Sequence, residues 1–81
     1  MKKGDLVVKA IEDQHLLRLA PKQTWDNPGV VIRGSYEGSL TLVDAITGKN
    51  IATEITPVVD IMIAGQIIKE VPTKFLNRVV R

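Results

Sequence analysis

The stretch Val58 to Val80, VVDIMIAGQIIKEVPTKFLNRVV, decides how the rest of the chain is read. Val59, Ile61 and Ile63 fall on one face of an extended run, and Asp60 and Met62 on the other, the period of two that marks a strand. Ala64-Gly65 is a reversal, because glycine accepts a positive φ without a Cβ penalty. Ile67 to Val71 returns, and Pro72, with no N–H to give, ends the pairing. Thr73 to Leu76 then makes one tight helical turn before Asn77 to Val80 resumes an apolar strand.

Working outward, Asp5 to Ala10 (DLVVKA) is the first strand, with Leu6 and Val8 on one face and Val7 and Lys9 on the other. Ile11 to Pro28 is a long first loop. Within it His15 to Ala20 reads as a strand or a turn of helix, since so short a run cannot be settled by periodicity. Pro21 to Pro28 is loop, with Asp26-Asn27-Pro28 initiating a turn. Gly29 to Arg33 is the second strand, Gly34 to Gly38 a turn, and Ser39 to Ala45 the third strand. Thr47 to Asn50 is a hairpin turn, after which Asn50 to Ile55 pairs back and Pro57 marks an edge or a bulge. The expected fold class is all-β: one domain over residues 1–81, with five to six short antiparallel strands closed into a small barrel.

Composition limits the functional classes. A chain of 81 residues has room for one modest core. A hydrophobic share of 44% excludes disorder, and the formal charge of +2 is a mild excess rather than the strong one of a dedicated nucleic-acid binder. With no cysteine there is neither a disulfide nor a thiolate metal site. No apolar run approaches the ~20 residues of a membrane span, and MKKGDLVV breaks at Gly4-Asp5 too early for a signal peptide, so the expected setting is cytoplasmic. One histidine, His15, and serines only at Ser35 and Ser39 make no nucleophile–base–orienter set. The strand carboxylates Asp44, Glu54 and Asp60 have no further ligands to make a metal centre. The expectation is no enzyme and no cofactor.

Two groups of residues carry a family resemblance. One is Gly4-Asp5-Leu6-Val7 followed by Pro28-Gly29-Val30-Val31; the other is Val71-Pro72-Thr73-Lys74-Phe75-Leu76-Asn77-Arg78-Val79. Together they resemble the SH3-like small barrels, including the KOW type. The resemblance implies a long loop after the first strand and a proline-led 3-10 turn carrying an aromatic or leucine into the core before the last strand. With Asp60 and Gly65-Gln66 ahead of that turn, the layout is also similar to small barrel proteins of tailed bacteriophages, which implies a host cytoplasm or a virion as the setting. The chain lacks the Ala-Leu-Tyr-Asp-Tyr run that lines the groove of peptide-binding SH3 domains. Gly38-Ser39-Leu40-Thr41-Leu42-Val43-Asp44 is similar to the first Sm motif, but Gly48 stands where that motif has asparagine.

The association argument comes from strands apolar on both faces: Val7 beside Leu6 and Val8, Val31 beside Val30 and Ile32, Val43 beside Leu42, and Met62 beside Ile61 and Ile63. A small barrel needs only its inner face apolar. The surplus is expected in a second minicore, under the Ile11–Pro28 loop, or against another subunit. The expected function is therefore a binding module acting through a protein partner or a homo-oligomer, with Trp25, Tyr36, Arg33 and Met62 as candidate contacts. Trp25 has a second reading, as a cap over an open end of the barrel. The alternative function is nucleic-acid binding through a basic patch near the termini, with Lys2, Lys3, Lys74 and Arg78 as candidates, joined by Lys9, Lys69 and Arg81.

Overall fold

A computed structural model describes residues 1–44 and 46–79. The strand ends expected at Ala45 and Val80, and the cation Arg81, lie outside the described residues. The remainder is all-β, with β1 (Leu6–Lys9), β2 (Gly29–Val43), β3 (Asn50–Ile63), β4 (Gln66–Pro72) and β5 (Leu76–Arg78) in one antiparallel sheet. The spatial order is β4-β3-β2-β1-β5, which sets the first strand between the second and the last. A 3-10 turn at Thr73–Phe75 leads from β4 to β5 and buries Phe75. Pro72 is the last paired residue of β4, opposite Val58.

The Ala64-Gly65 reversal holds, with φ of 50° and 76° at its two residues. Positive φ at both central positions is the hairpin turn that matches the right-handed twist of its strands. Val59, Ile61 and Ile63 go to the core as their alternation requires. They meet Val7, Val31, Ile68, Val71 and Leu76 there, and burying each such side chain contributes about 1.5–3 kcal/mol.

The long first loop is not plain loop. It holds α1 (Gln14–Leu19) and α2 (Lys22–Trp25). Asp13 caps α1, its carboxylate accepting from the His15 N–H at 2.8 Å. Pro21 forces Ala20 into extended backbone, which stops α1, and supplies the entry to α2. Leu16, Ala20 and Trp25 thereby reach the core.

The short strands expected in the middle of the chain are corrected. β2 runs for 15 residues and β3 for 14, straight through the segment read as a Gly34–Gly38 turn and past Pro57. The glycines mark a bend and a close approach, not a reversal. Shifts of register between Val31 and Arg33 and between Arg33 and Tyr36 bend the strand. At Gly38 a Cβ would stand 2.6 Å from Val58 Cγ2, so no larger residue fits. Pro57 pairs with Glu37 one step beyond the end of β4, where its other side faces an open edge and its missing N–H breaks no ladder. The far half of this ribbon, Ser39–Val43 with Asn50–Ile55, is mostly exposed and forms an arm joined to the core at Leu40, and the molecule measures 41 × 26 × 20 Å.

The arm's tip is self-contained. Asp44 accepts from the Ile46 and Thr47 N–H groups at 2.7 and 3.3 Å, and Gly48 takes φ of 70° to close the turn. That agrees with the hairpin expected at Thr47 to Asn50.

Candidate protein-association surface

The register aligns one apolar residue from each of β1 to β4 on the outer face of the sheet. Leu6 stands opposite Val30, Val30 opposite Met62, and Met62 opposite Ile67. On the far side the Val79 N–H donates to the Leu6 carbonyl at 2.8 Å, which adds Val79 to the row. Four steps between strands make the row roughly 19 Å long. Val79, Val30, Met62 and Ile67 are 37, 41, 46 and 56% exposed, and Leu6 is half-buried. Their neighbours along the strands, such as Val7, Val31, Ile61 and Ile68, point inward and are buried. At this level of the sheet the core uses one face, and an apolar row is left on the other.

Beside this row lies a polar network. Tyr36 donates its hydroxyl to Asp60 Oδ1 at 2.5 Å, and the Glu70 N–H donates to the same oxygen at 3.0 Å. Glu70 has φ of 58° at the irregularity where β4 departs from the Val59–Ile61 register, so Asp60 accepts the N–H that this irregularity turns toward it. The Arg33 guanidinium stacks 3.9 Å from the Tyr36 ring centre. Burial pushes the Asp60 carboxyl up. The Tyr36 hydroxyl, the Glu70 N–H and the charges of Arg33 and Lys69 outweigh it and hold the group below the usual value. Burial, and then the bond to Asp60, raise Tyr36 above the usual tyrosine value. Val58 and Asp60 are buried on the outer face just as Val59 and Ile61 are on the inner, so β3 is covered on both sides at this point.

Three of the four candidate contacts, Arg33, Tyr36 and Met62, therefore share the outer face; Met62 lies in the row and the other two border it. Trp25 does not join them. It is 2% exposed, and its indole N–H donates to the Leu16 and Ala20 carbonyls at 2.8 and 3.2 Å. The chain end of α1 supplies those acceptors, so the tryptophan plugs the core beneath the helices and presents no contact surface. Under the Ile11–Pro28 segment, one of the three places expected to take surplus apolar residues, lie Leu16, Ala20 and Trp25, and they are continuous with the main core rather than a second minicore.

The candidate cations do not form one patch. The β1–β5 ladder runs from Lys9 opposite Leu76 to Val7 opposite Arg78. Lys74 lies at the first end, 3.0 Å from Glu54, and Lys9 there is bound to Glu12 and Asp26 at 3.0 and 3.3 Å. Lys2 and Lys3 lie against Gly34 toward the Arg78 end. A groove between α1 and β2 gathers His15, Arg18 and Lys74 beside Asp13 and Phe75. In that groove burial lowers His15 below its usual value; Asp13 opposes the shift and Arg18 adds to it.

Sequence reading missed Val30, Ile67, Leu6 and Val79 as a set. Each is visible as an apolar residue alternating with a core residue, but the pairing that aligns them belongs to five separate segments. It also missed Tyr36–Asp60, for which the available signal was a carboxylate inside a valine–isoleucine run.

No protein-family model matches the chain, and no curated protein or solved structure is significantly similar to it. Among the described residues no helix is long and apolar enough to cross a membrane, and no three His, Asp or Glu side chains gather as a metal-holding group.

Proposed function

We propose that this chain is a non-enzymatic SH3-like barrel of KOW type that works by associating with protein, either a partner or further copies of itself. The observation that carries this reading is the apolar row Val79–Leu6–Val30–Met62–Ile67 across the outer face of the sheet. A contiguous apolar stripe rimmed by polar groups is the form of a protein contact surface, and here Arg33, Tyr36 and Asp60 supply part of the rim. The strand order, the long excursion after β1 and the 3-10 turn before β5 support the barrel assignment. The one buried carboxylate among the described residues, Asp60, is occupied by Tyr36 and Glu70, which favours a structural over a catalytic role. The resemblance to small barrel proteins of tailed bacteriophages supports a host cytoplasm or a virion as the setting. Nucleic-acid binding is the weaker reading, because the cations are divided between two ends of the β1–β5 ladder and Lys74 and Lys9 are already paired.

Light scattering and native mass spectrometry across concentration, with affinity capture, test the proposal. Met62→Glu and Val30→Glu leave the core untouched and are expected to weaken association by on the order of 2 kcal/mol, about thirtyfold. A strict monomer that captures no protein, or a Met62→Glu chain that associates like the parent, overturns it. Binding to nucleic acid that falls steeply with salt establishes the competing reading instead.

A further inference from the structure

A second surface, independent of the outer-face row, is the open edge of β3. β4 ends at Pro72 opposite Val58, so from Asn50 to Pro57 the strand is paired only with β2. The two prolines fix which backbone groups face outward. Pro57 opposite Glu37 and Pro72 opposite Val58 both leave the ladders intact only if the even-numbered residues of β3 turn their N–H toward β2. The other end of the sheet gives the same phase. The Val31 N–H donates to Asp5 in the direction of β1, which turns Val30 toward β3 and its partner Met62 toward β2. Thr53 and Ile55 therefore hold their N–H and C=O groups toward the open side. Ile51 is the extra residue at the irregularity beside Val43.

We propose that this edge pairs, antiparallel, with the same edge of a second copy of the chain about a two-fold axis at Thr53. An antiparallel pair of identical strands is self-complementary, which is what a closed dimer requires. An axis at Thr53 sets Thr53 against its symmetry mate, Ala52 against Glu54, and Ile51 against Ile55. Ile51 and Ile55 are 68 and 63% exposed in the single chain, so the pairing covers the two most exposed apolar side chains of β3. Neighbouring registers are worse. An axis at Glu54 sets two carboxylates face to face, which is destabilising. An axis at Ala52 sets Asn50 against Glu54 and Ile55 against Lys49. An axis between residues places an outward backbone group against an inward one. Glu54 is held by Lys74 of its own chain at 3.0 Å, so pairing leaves no carboxylate without a partner. The pairing stops before Pro57, whose ring blocks further addition along the edge.

The chain has no cysteine, so Thr53→Cys and Ile46→Cys each give one spin-label site in the full chain. The expected result is strong dipolar broadening at position 53, where paired Cα atoms stand about 5.5 Å apart. Labels at position 46, on tips that point away from each other, are expected far apart. Thr53→Pro removes the outward N–H without touching the ladder to β2, and it is expected to weaken self-association roughly tenfold. Emission from Trp25, the single tryptophan and a buried core residue outside the β2–β3 ribbon, reports whether that variant is folded. If it is unfolded, the label distances decide. Labels closer at 46 than at 53, or a folded Thr53→Pro chain with unchanged self-association, overturn the edge pairing and leave the outer-face reading standing. A chain that is monomeric at every concentration also overturns the edge pairing, whereas the outer-face reading is then decided by capture of a protein and its loss in Met62→Glu.

Discussion

The base and the arm of the β2–β3 ribbon are built from the same strands and the same residue types, yet they have opposite fates. At the base, Val31, Val58, Val59 and Ile61 are fully buried. In the arm, Leu42, Ile51 and Ile55 are 43, 68 and 63% exposed, and Leu40 at the root is the one buried apolar residue of that half. Branched aliphatic side chains suit a pleated strand in either place. Burial depends on what lies over them: the base has β1, β4 and the core beneath the helices, whereas the arm has a groove shared with α1 and Phe75 on one side and an unpaired edge of β3 on the other. A ribbon of two strands alone is marginal in water, so the arm depends on the base for its rigidity while most of its apolar side chains stay exposed.

This contrast can be broken experimentally, beginning where the effect is largest. Ile61→Ala at the base leaves a cavity in a fully buried site and is expected to cost about 2–5 kcal/mol in urea unfolding. A cost below 1 kcal/mol there means that the base is not the core. Gly38→Ala, at the seam, drives a methyl group into Val58 and is expected to destabilise by about 1–3 kcal/mol. An unchanged midpoint shows that the ribbon does not close tightly where arm meets base.

Asp60 gives the base a pH dependence of its own. Its carboxyl is held below the usual value when folded. The stability it contributes is therefore present above the unfolded carboxyl's ordinary value and is lost as pH falls through the lower folded value. An acid titration of unfolding free energy for the parent and for Asp60→Asn checks this. The variant is expected to show a flatter acid limb, and parallel curves refute the role given to Asp60. The smallest effect belongs to the arm: Ile55→Ala is expected to change unfolding free energy by no more than about 0.5 kcal/mol while weakening self-association. A large loss of stability in the monomer places Ile55 in the core and ends the contrast.

Much of the fold was legible in the residues themselves. The Val58–Phe75 stretch reads correctly because each signal in it is local: alternation, a turn whose residues take positive φ, a proline that ends pairing, and a one-turn helix behind it. Gly34 and Gly38 misled for the opposite reason: each is a local breaker used for a long-range purpose, Gly34 for the approach of Met1 to Lys3 and Gly38 for that of Val58. Pro57 does mark an edge, as expected, the one left open by the end of β4. Trp25 likewise carries no local mark distinguishing a loop anchor from a core plug; the acceptors at Leu16 and Ala20 exist only once α1 has formed.

The sequence by itself determined that this chain is all-β with more branched aliphatic surface than a single inner face can use, because composition and a period of two are properties of the chain. Only the tertiary structure decided where the surplus lies. The row Val79–Leu6–Val30–Met62–Ile67 and the bare arm both depend on which residues stand opposite one another across strands. That pairing is set by cross-strand register, which no single segment contains.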